Sequence, residues 1–171
     1  MTENQLKQIA IHATDANIKL YTPLLNRFMH EYNICLKLRE AAFLATVIQE
    51  SGSFRYTREI ASGKAYEGRK DLGNIHPGDG ERYAGRGLIQ LTGRANYQEA
   101  SNALKVDFVS NPELLEQPDF ATEVSCWWWN SRNLNRLADA GKFIEMTKVV
   151  NGGLNGLSDR SNWYNLALKV L

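Results

Sequence analysis

Two glutamates in this 171-residue chain are placed to do acid–base chemistry. Glu50 closes the apolar run Ala41-Ala42-Phe43-Leu44-Ala45-Thr46-Val47-Ile48, after Gln49. Glu59 follows nine residues later, beyond Ser51-Gly52-Ser53. A carboxylate at the end of an apolar run is unusual, because burying a charge is costly. Cleaving a glycosidic bond needs one carboxyl group to protonate the leaving oxygen and a second to activate water or attack the sugar. Burial keeps a carboxyl protonated at neutral pH, which suits Glu50 to the first task. Arg55 and Arg58 bring positive charge beside Glu59, which suits the second. Spacing alone does not single this pair out. Nineteen acidic residues make many pairs, and a helix-capping Glu50 with a surface-paired Glu59 fits equally well.

Other chemistries find less support. His12, His30 and His76 are scattered and form no HExxH, and no EF-hand spacing occurs, so no metal and no cofactor is expected. The chain has no GxSxG, no GxxxxGK[ST] and no GxGxxG. Twenty Lys+Arg against nineteen Asp+Glu leave a net charge of +1, without the basic excess that nucleic-acid binding asks for. Cys35 and Cys126 form no CxxC and read as two buried, reduced thiols. No apolar run reaches the ~18 residues of a membrane span, and the N-terminus lacks a signal peptide. The expectation is a protein made in the cytoplasm without an export signal.

The elements that must position the glutamates read as mostly helical. Thr22-Pro23 looks like a helix start, with Leu24, Leu25, Phe28, Met29 and Tyr32 at helical spacing and Asn33 at the end. Residues 36–50 form a central helix, apolar on nearly every side. Seven of the thirteen glycines fall within residues 61–92, which read as loops and short extended pieces. Helices resume over 95–104, from 118 onward and over 142–150; Ser158 caps a last one. In Trp127-Trp128-Trp129 at least two rings belong to the core, although a sugar-stacking platform is an alternative. The expected architecture is mainly α, one catalytic domain over 1–171, with a loop-rich segment and room for a small β-hairpin lining a cleft.

The motifs then carry a likeness. Gln49-Glu50-Ser51-Gly52-Ser53 through Glu59 resembles the HE[ST]GG…E segment of glycoside hydrolase family 19. Tyr83-Ala84-Gly85-Arg86-Gly87-Leu88-Ile89-Gln90-Leu91-Thr92, continuing to Asn96-Tyr97, resembles its YxGRGxIQL[ST]xxxNY signature. Ala65-Tyr66-Glu67-Gly68-Arg69 lies between them in the same order. Val149-Val150-Asn151-Gly152-Gly153 resembles its INGG turn, and Ser158-Asp159-Arg160 its late DR. The compact form is most similar to phage endolysins and prophage lysozymes of the family.

The resemblance implies a lysozyme-like helical fold and an inverting hydrolase without metal. It makes Glu50 the general acid, Glu59 the general base and Thr92 a holder of the attacking water. Inversion implies carboxyl groups about 6.5–9.5 Å apart. Gln90, Asn96, Tyr97, Asn151 and Tyr66 are expected to meet sugar, and Arg160 to support the carboxylates. Glu67 is a reserve base, with an ion pair to Arg69 or Arg86 as its simpler role. Two departures stand out: Gln49 replaces a histidine, and Ser53 replaces the second glycine of the GG pair. The implied substrate is peptidoglycan, cut for host cell lysis in the periplasm. The implied enzyme is a monomer that depends on a separate holin-type pore. A chitinase of the same family and a non-catalytic wall-binding protein are the alternatives.

Overall fold

The computed structural model describes all residues, Met1–Leu171. Nine helices follow one another: α1 Glu3–Ile9, α2 Asp15–Glu31, α3 Lys37–Glu50, α4 Asp79–Arg82, α5 Arg94–Leu104, α6 Pro118–Ser131, α7 Leu134–Asp139, α8 Phe143–Asn151 and α9 Leu157–Val170. Short 3₁₀ turns lie at Lys64–Tyr66, Lys70–Leu72 and Pro112–Glu116. The mainly helical, lysozyme-like expectation holds. The hairpin reduces to two isolated antiparallel bridges, Arg58 with Arg86 and Arg86 with Leu91.

Helix α3 is the centre of the molecule. All eight residues from Ala41 to Ile48 are buried, and α9 packs along it. Around it lies the larger core, which includes Phe28, Phe43, Phe54 and Trp129. Full burial of such side chains contributes about 1.5–3 kcal/mol each. Trp129 meets Phe43 edge to face at 5.5 Å, and its indole N–H donates to Asn135 Oδ1 at 2.9 Å. A smaller core of Tyr83, Ile89, Leu91, Tyr97, Phe108, Leu115 and Val124 lies under the glycine-rich segment. Trp128 and Val150 pack against both cores and so stand at their junction.

Several local expectations are corrected. Thr22-Pro23 does not start a helix: Thr14 caps α2 by accepting from the Asn17 N–H at 3.1 Å, and Pro23 sits inside the helix. Thr22 instead donates its hydroxyl to the Ile18 carbonyl at 2.7 Å. The α2 apolar face continues through the proline, with Ile18 and Tyr21 before it and Leu25, Phe28 and Met29 after it. Burial of that face outweighs the one backbone donor that proline removes. Ser158 does not cap α9; left-handed Gly156 precedes it. Cys126 is buried, but Cys35 is exposed, and neither forms a disulfide. The expectation that at least two of the three tryptophan rings belong to the core holds: Trp129 is fully buried, and the half-buried Trp127 and Trp128 pack against the core clusters.

Candidate active site

Glu50 stands at the last position of α3, where the chain turns sharply. Gly52, Ser53 and Phe54 have φ of +58°, +60° and +63°. A left-handed conformation costs a residue with a Cβ about 1–2 kcal/mol, so something must hold this turn. Phe54 is the anchor: its ring stacks on Tyr21 at 5.3 Å and its carbonyl accepts from Asn17 Nδ2 at 2.9 Å. Its N–H donates to Ser51 Oγ at 2.8 Å, and that hydroxyl donates to the Val47 carbonyl at 2.6 Å. Gly52 meets this demand without a Cβ, which at that position would press on the Tyr56 ring at 3.1 Å. Ser53, by contrast, tolerates the strain that the missing second glycine would have avoided.

Helix α9 supplies the partners of this helix end. Arg160 is 4% exposed and forms an ion pair through Nη2 with the half-buried Glu50 carboxylate. Its Nε and Nη1 have no partner. One turn later, Trp163 Nε1 donates to Gln49 Oε1 at 3.2 Å. The glutamine that replaces a histidine is thus oriented by an indole.

Glu59 is held from the loop-rich side. It accepts from the Tyr66 hydroxyl at 3.0 Å and from the Gly85 N–H at 2.7 Å. Its own N–H donates to the Gly85 carbonyl at 2.9 Å. The Tyr66 phenol is pushed up by burial and by its bond to Glu59. The arginines expected around Glu59 turn elsewhere: Arg58 lies 3.8 Å from Glu116, and Arg55 lies over the Tyr56 ring.

Beyond Gly85 come the polar groups of the cleft. A Cβ on Gly85 would stand 3.1 Å from Gln90 Oε1 and 3.2 Å from Thr92 Oγ1, so both side chains adjoin the segment that clasps Glu59. Thr92 does not cap α5. Its hydroxyl donates to the Gln90 carbonyl at 2.9 Å, and its own carbonyl accepts from Asn96 Nδ2 at 2.7 Å. Gln90, Thr92 and Asn96 line a cavity of about 200 Å³ with Leu72, Trp128 and Val150. The two side chains at the junction of the cores are therefore also its apolar wall. Asn151 follows Val150 at the end of α8 and donates to the Asn155 carbonyl at 3.1 Å.

Two expected site residues are corrected by their surroundings. Tyr97 is fully buried and cannot meet sugar in this structure. Its hydroxyl donates to the Ala84 carbonyl at 2.6 Å and accepts from Arg86 Nη1 at 3.0 Å. Burial pushes its phenol up to about 12. Glu67 pairs with neither arginine: Arg69 takes Asp71 and Arg86 takes Glu116. Its carboxylate accepts the N–H groups of Gly78 and Gly80, each at 2.8 Å. It shapes the turn before α4. Arg86 is a buried hub that also donates to the Arg82 carbonyl at 2.8 Å, a role its sequence setting does not disclose. Nothing in its GRG setting marks it as more than part of a turn. No group of three histidine, cysteine or acidic side chains is arranged to ligate a metal.

The family model described as glycoside hydrolase family 19, chitinase class I, matches residues 41–142. The chain belongs to glycoside hydrolase family 19. The matched stretch contains Glu50, Glu59, Gln90, Thr92 and Asn96, whereas Asn151 and Arg160 lie beyond it. A glycosyl hydrolase family 19 domain-containing protein of Haemophilus influenzae is 29% identical over 159 residues, covering 75% of this chain and 78% of that protein. An endochitinase of Arabidopsis thaliana is 37% identical over 131 residues, covering 72% of this chain but 44% of the plant protein. The chain thus spans less than half the length of that plant relative. Among solved structures, chitinase C of Streptomyces griseus superposes with a TM-score of 0.79 at 26% identity, over 99% of this chain and 75% of that one. A bacterial family 19 chitinase shares the fold, with a TM-score of 0.80 at 24% identity, over 99% of this chain and 93% of the other.

Proposed function

We propose that this family 19 glycoside hydrolase cleaves the β-1,4 bond between N-acetylated amino sugars of peptidoglycan, with inversion. In its protonated form Glu50 gives its proton to the leaving oxygen, and the carboxylate left behind is the form that pairs with Arg160. Glu59 takes a proton from water, whose oxygen attacks the anomeric carbon from the opposite face as the glycosidic bond breaks. Thr92 helps hold that water, and Gln90, Asn96 and Asn151 bind sugar hydroxyl and acetamide groups. The observation that carries this reading is the grip on Glu59. Tyr66 and the Gly85 amide fix its carboxylate at the edge of the wall that also presents Thr92 and Gln90. A base so fixed is oriented before substrate arrives.

Peptidoglycan is the polymer implied by the compact motif set. In this reading the enzyme acts as a monomer on the wall, which it reaches through a separate membrane pore. Chitin is the second reading, supported by the relatives that are named endochitinases. Both polymers present N-acetylglucosamine to the same groups.

Turbidity loss of purified cell walls, measured beside turnover of soluble chitin oligomers, separates the two. Clearing of walls by wild type, abolished in a folded Glu50→Gln variant, is the expected result. Turnover of chitin oligomers alone would replace peptidoglycan with chitin. Proton NMR of the first-formed anomer tests the stereochemistry, and net retention would end the inverting mechanism.

A further inference from the structure

A second cavity opens beside Gln49, and the acid–base chemistry described above makes no use of it. Its volume is about 460 Å³, and His12, Gln49, Gly52, Arg55, Tyr56 and Trp163 line it. The strained turn is what builds it. Three successive left-handed residues, pinned through Phe54, deliver Arg55 and Tyr56 to the rim opposite α9. The α9 wall is equally fixed: Trp163 bonds to Gln49, and the His12 ring meets it edge-on at 5.7 Å.

The charge of this cavity is one-sided. Arg55 is exposed and forms no ion pair. No acidic side chain lines the cavity. Asp159 lines the neighbouring hollow, which shares His12 and Trp163. A guanidinium presents a planar fork of donors that matches a carboxylate. The aromatic side chains of Tyr56 and Trp163 and the Gln49 amide, held by Trp163, complete the lining.

Chitin offers this arginine no carboxylate, since its sugars carry only hydroxyl and acetamide groups. Peptidoglycan carries a short acidic peptide on alternate sugars. We propose that this cavity receives that peptide from the sugar next to the cleaved bond, with Arg55 holding a peptide carboxylate. The proposal rests on the peptidoglycan reading and adds a specificity determinant to it: Arg55 selects glycan that bears peptides.

The test is a binding titration followed by the NMR signal of the Trp163 indole N–H. The probes are an N-acetylglucosaminyl–N-acetylmuramyl disaccharide bearing an acidic tetrapeptide and the same disaccharide without the peptide. Arg55→Gln is expected to weaken the peptide-bearing probe about fivefold, as for an exposed ion pair. Arg55→Lys should recover part of that loss. The peptide-free disaccharide should bind wild type and Arg55→Gln alike. Equal affinity of the two proteins for the peptide-bearing probe overturns the proposal, as does equal weakening of both probes. Binding is read without turnover, so the two ideas fail separately. A wild type that shows the Arg55-dependent binding yet clears no cell wall removes the peptidoglycan reading and keeps the peptide site. One that clears walls without any Arg55 effect removes the site alone.

Discussion

Arg160 holds the carboxylate of Glu50 from 110 positions further along the chain. The guanidinium is 4% exposed, and two of its three nitrogens have no partner. Its charge is therefore tolerated in the packed α3–α9 contact mainly because Glu50 answers it. Removing one member of such a pair leaves an uncompensated buried charge, whereas removing both does not.

Glu50→Gln should accordingly keep the fold but lose about 2 kcal/mol of stability. Arg160→Met placed in the Glu50→Gln background should regain most of that loss. Urea unfolding of wild type, both single variants and the double variant gives the coupling directly. If the two losses simply add, the pair does not carry the charge balance assigned to it.

Glu59 depends on a different kind of support, one neutral hydroxyl and one backbone amide. Tyr66→Phe removes the hydroxyl and leaves the ring in place. A hydrogen bond to a charged group is worth about 1.5–3 kcal/mol, so kcat should fall about tenfold or more while the fold persists. KM should move little, because the phenol acts on the base. Steady-state kinetics on cell walls or oligomers checks the split between kcat and KM. A change confined to KM would instead make Tyr66 a sugar contact.

The two supports differ in how far the sequence disclosed them. The apolar run from Ala41 to Ile48 announces the buried helix that presents Glu50, because every face of it must be covered. The partners of Glu59 are not announced: the nearby charges of Arg55 and Arg58 suggest ion pairs that the fold does not make. Which neighbour a carboxylate meets depends on where the glycine-rich segment returns, and Gly85 reaches Glu59 across 26 positions. Pro23 misled for a related reason. A proline marks a helix start when local preference decides, but here the buried face of α2 decides. Tyr97 lies in a motif rich in cleft residues, yet its side chain points from α5 into the smaller core, which periodicity over so short a stretch does not resolve.

Gly85→Ala probes the junction of the two halves of the site. The added methyl would press on Gln90 Oε1 and Thr92 Oγ1, which stand 3.1 and 3.2 Å from its position. Both are side-chain ends and can yield, so unfolding should be nearly unaffected. The water-holding and sugar-binding groups would be displaced, and kcat/KM should fall about tenfold to a hundredfold. Thermal unfolding and kinetics on the same preparation separate the two effects. A variant with wild-type kcat/KM would show that Thr92 and Gln90 need no exact placement.

Asp79 gives the molecule a stability term with a defined pH range. It is 2% exposed, and Arg94 donates to both of its oxygens, at 2.6 and 2.9 Å. The N–H groups of Ile75 and His76 add bonds at 3.1 and 3.0 Å. The Arg94 hydrogen bonds lead in lowering its pKa to about 2. This pair ties the first residue of α4 to the first residue of α5, just past Thr92. Because the folded carboxyl titrates below its unfolded value near 3.9, its contribution is complete above about pH 4 and is lost as pH falls through about 2. Asp79→Asn should cost on the order of 2 kcal/mol at neutral pH. The gap between variant and wild type should narrow steadily between pH 4 and pH 2 in chemical unfolding. A gap that stays constant across that range would mean that packing around Asp79, and not its charge, supplies the stability.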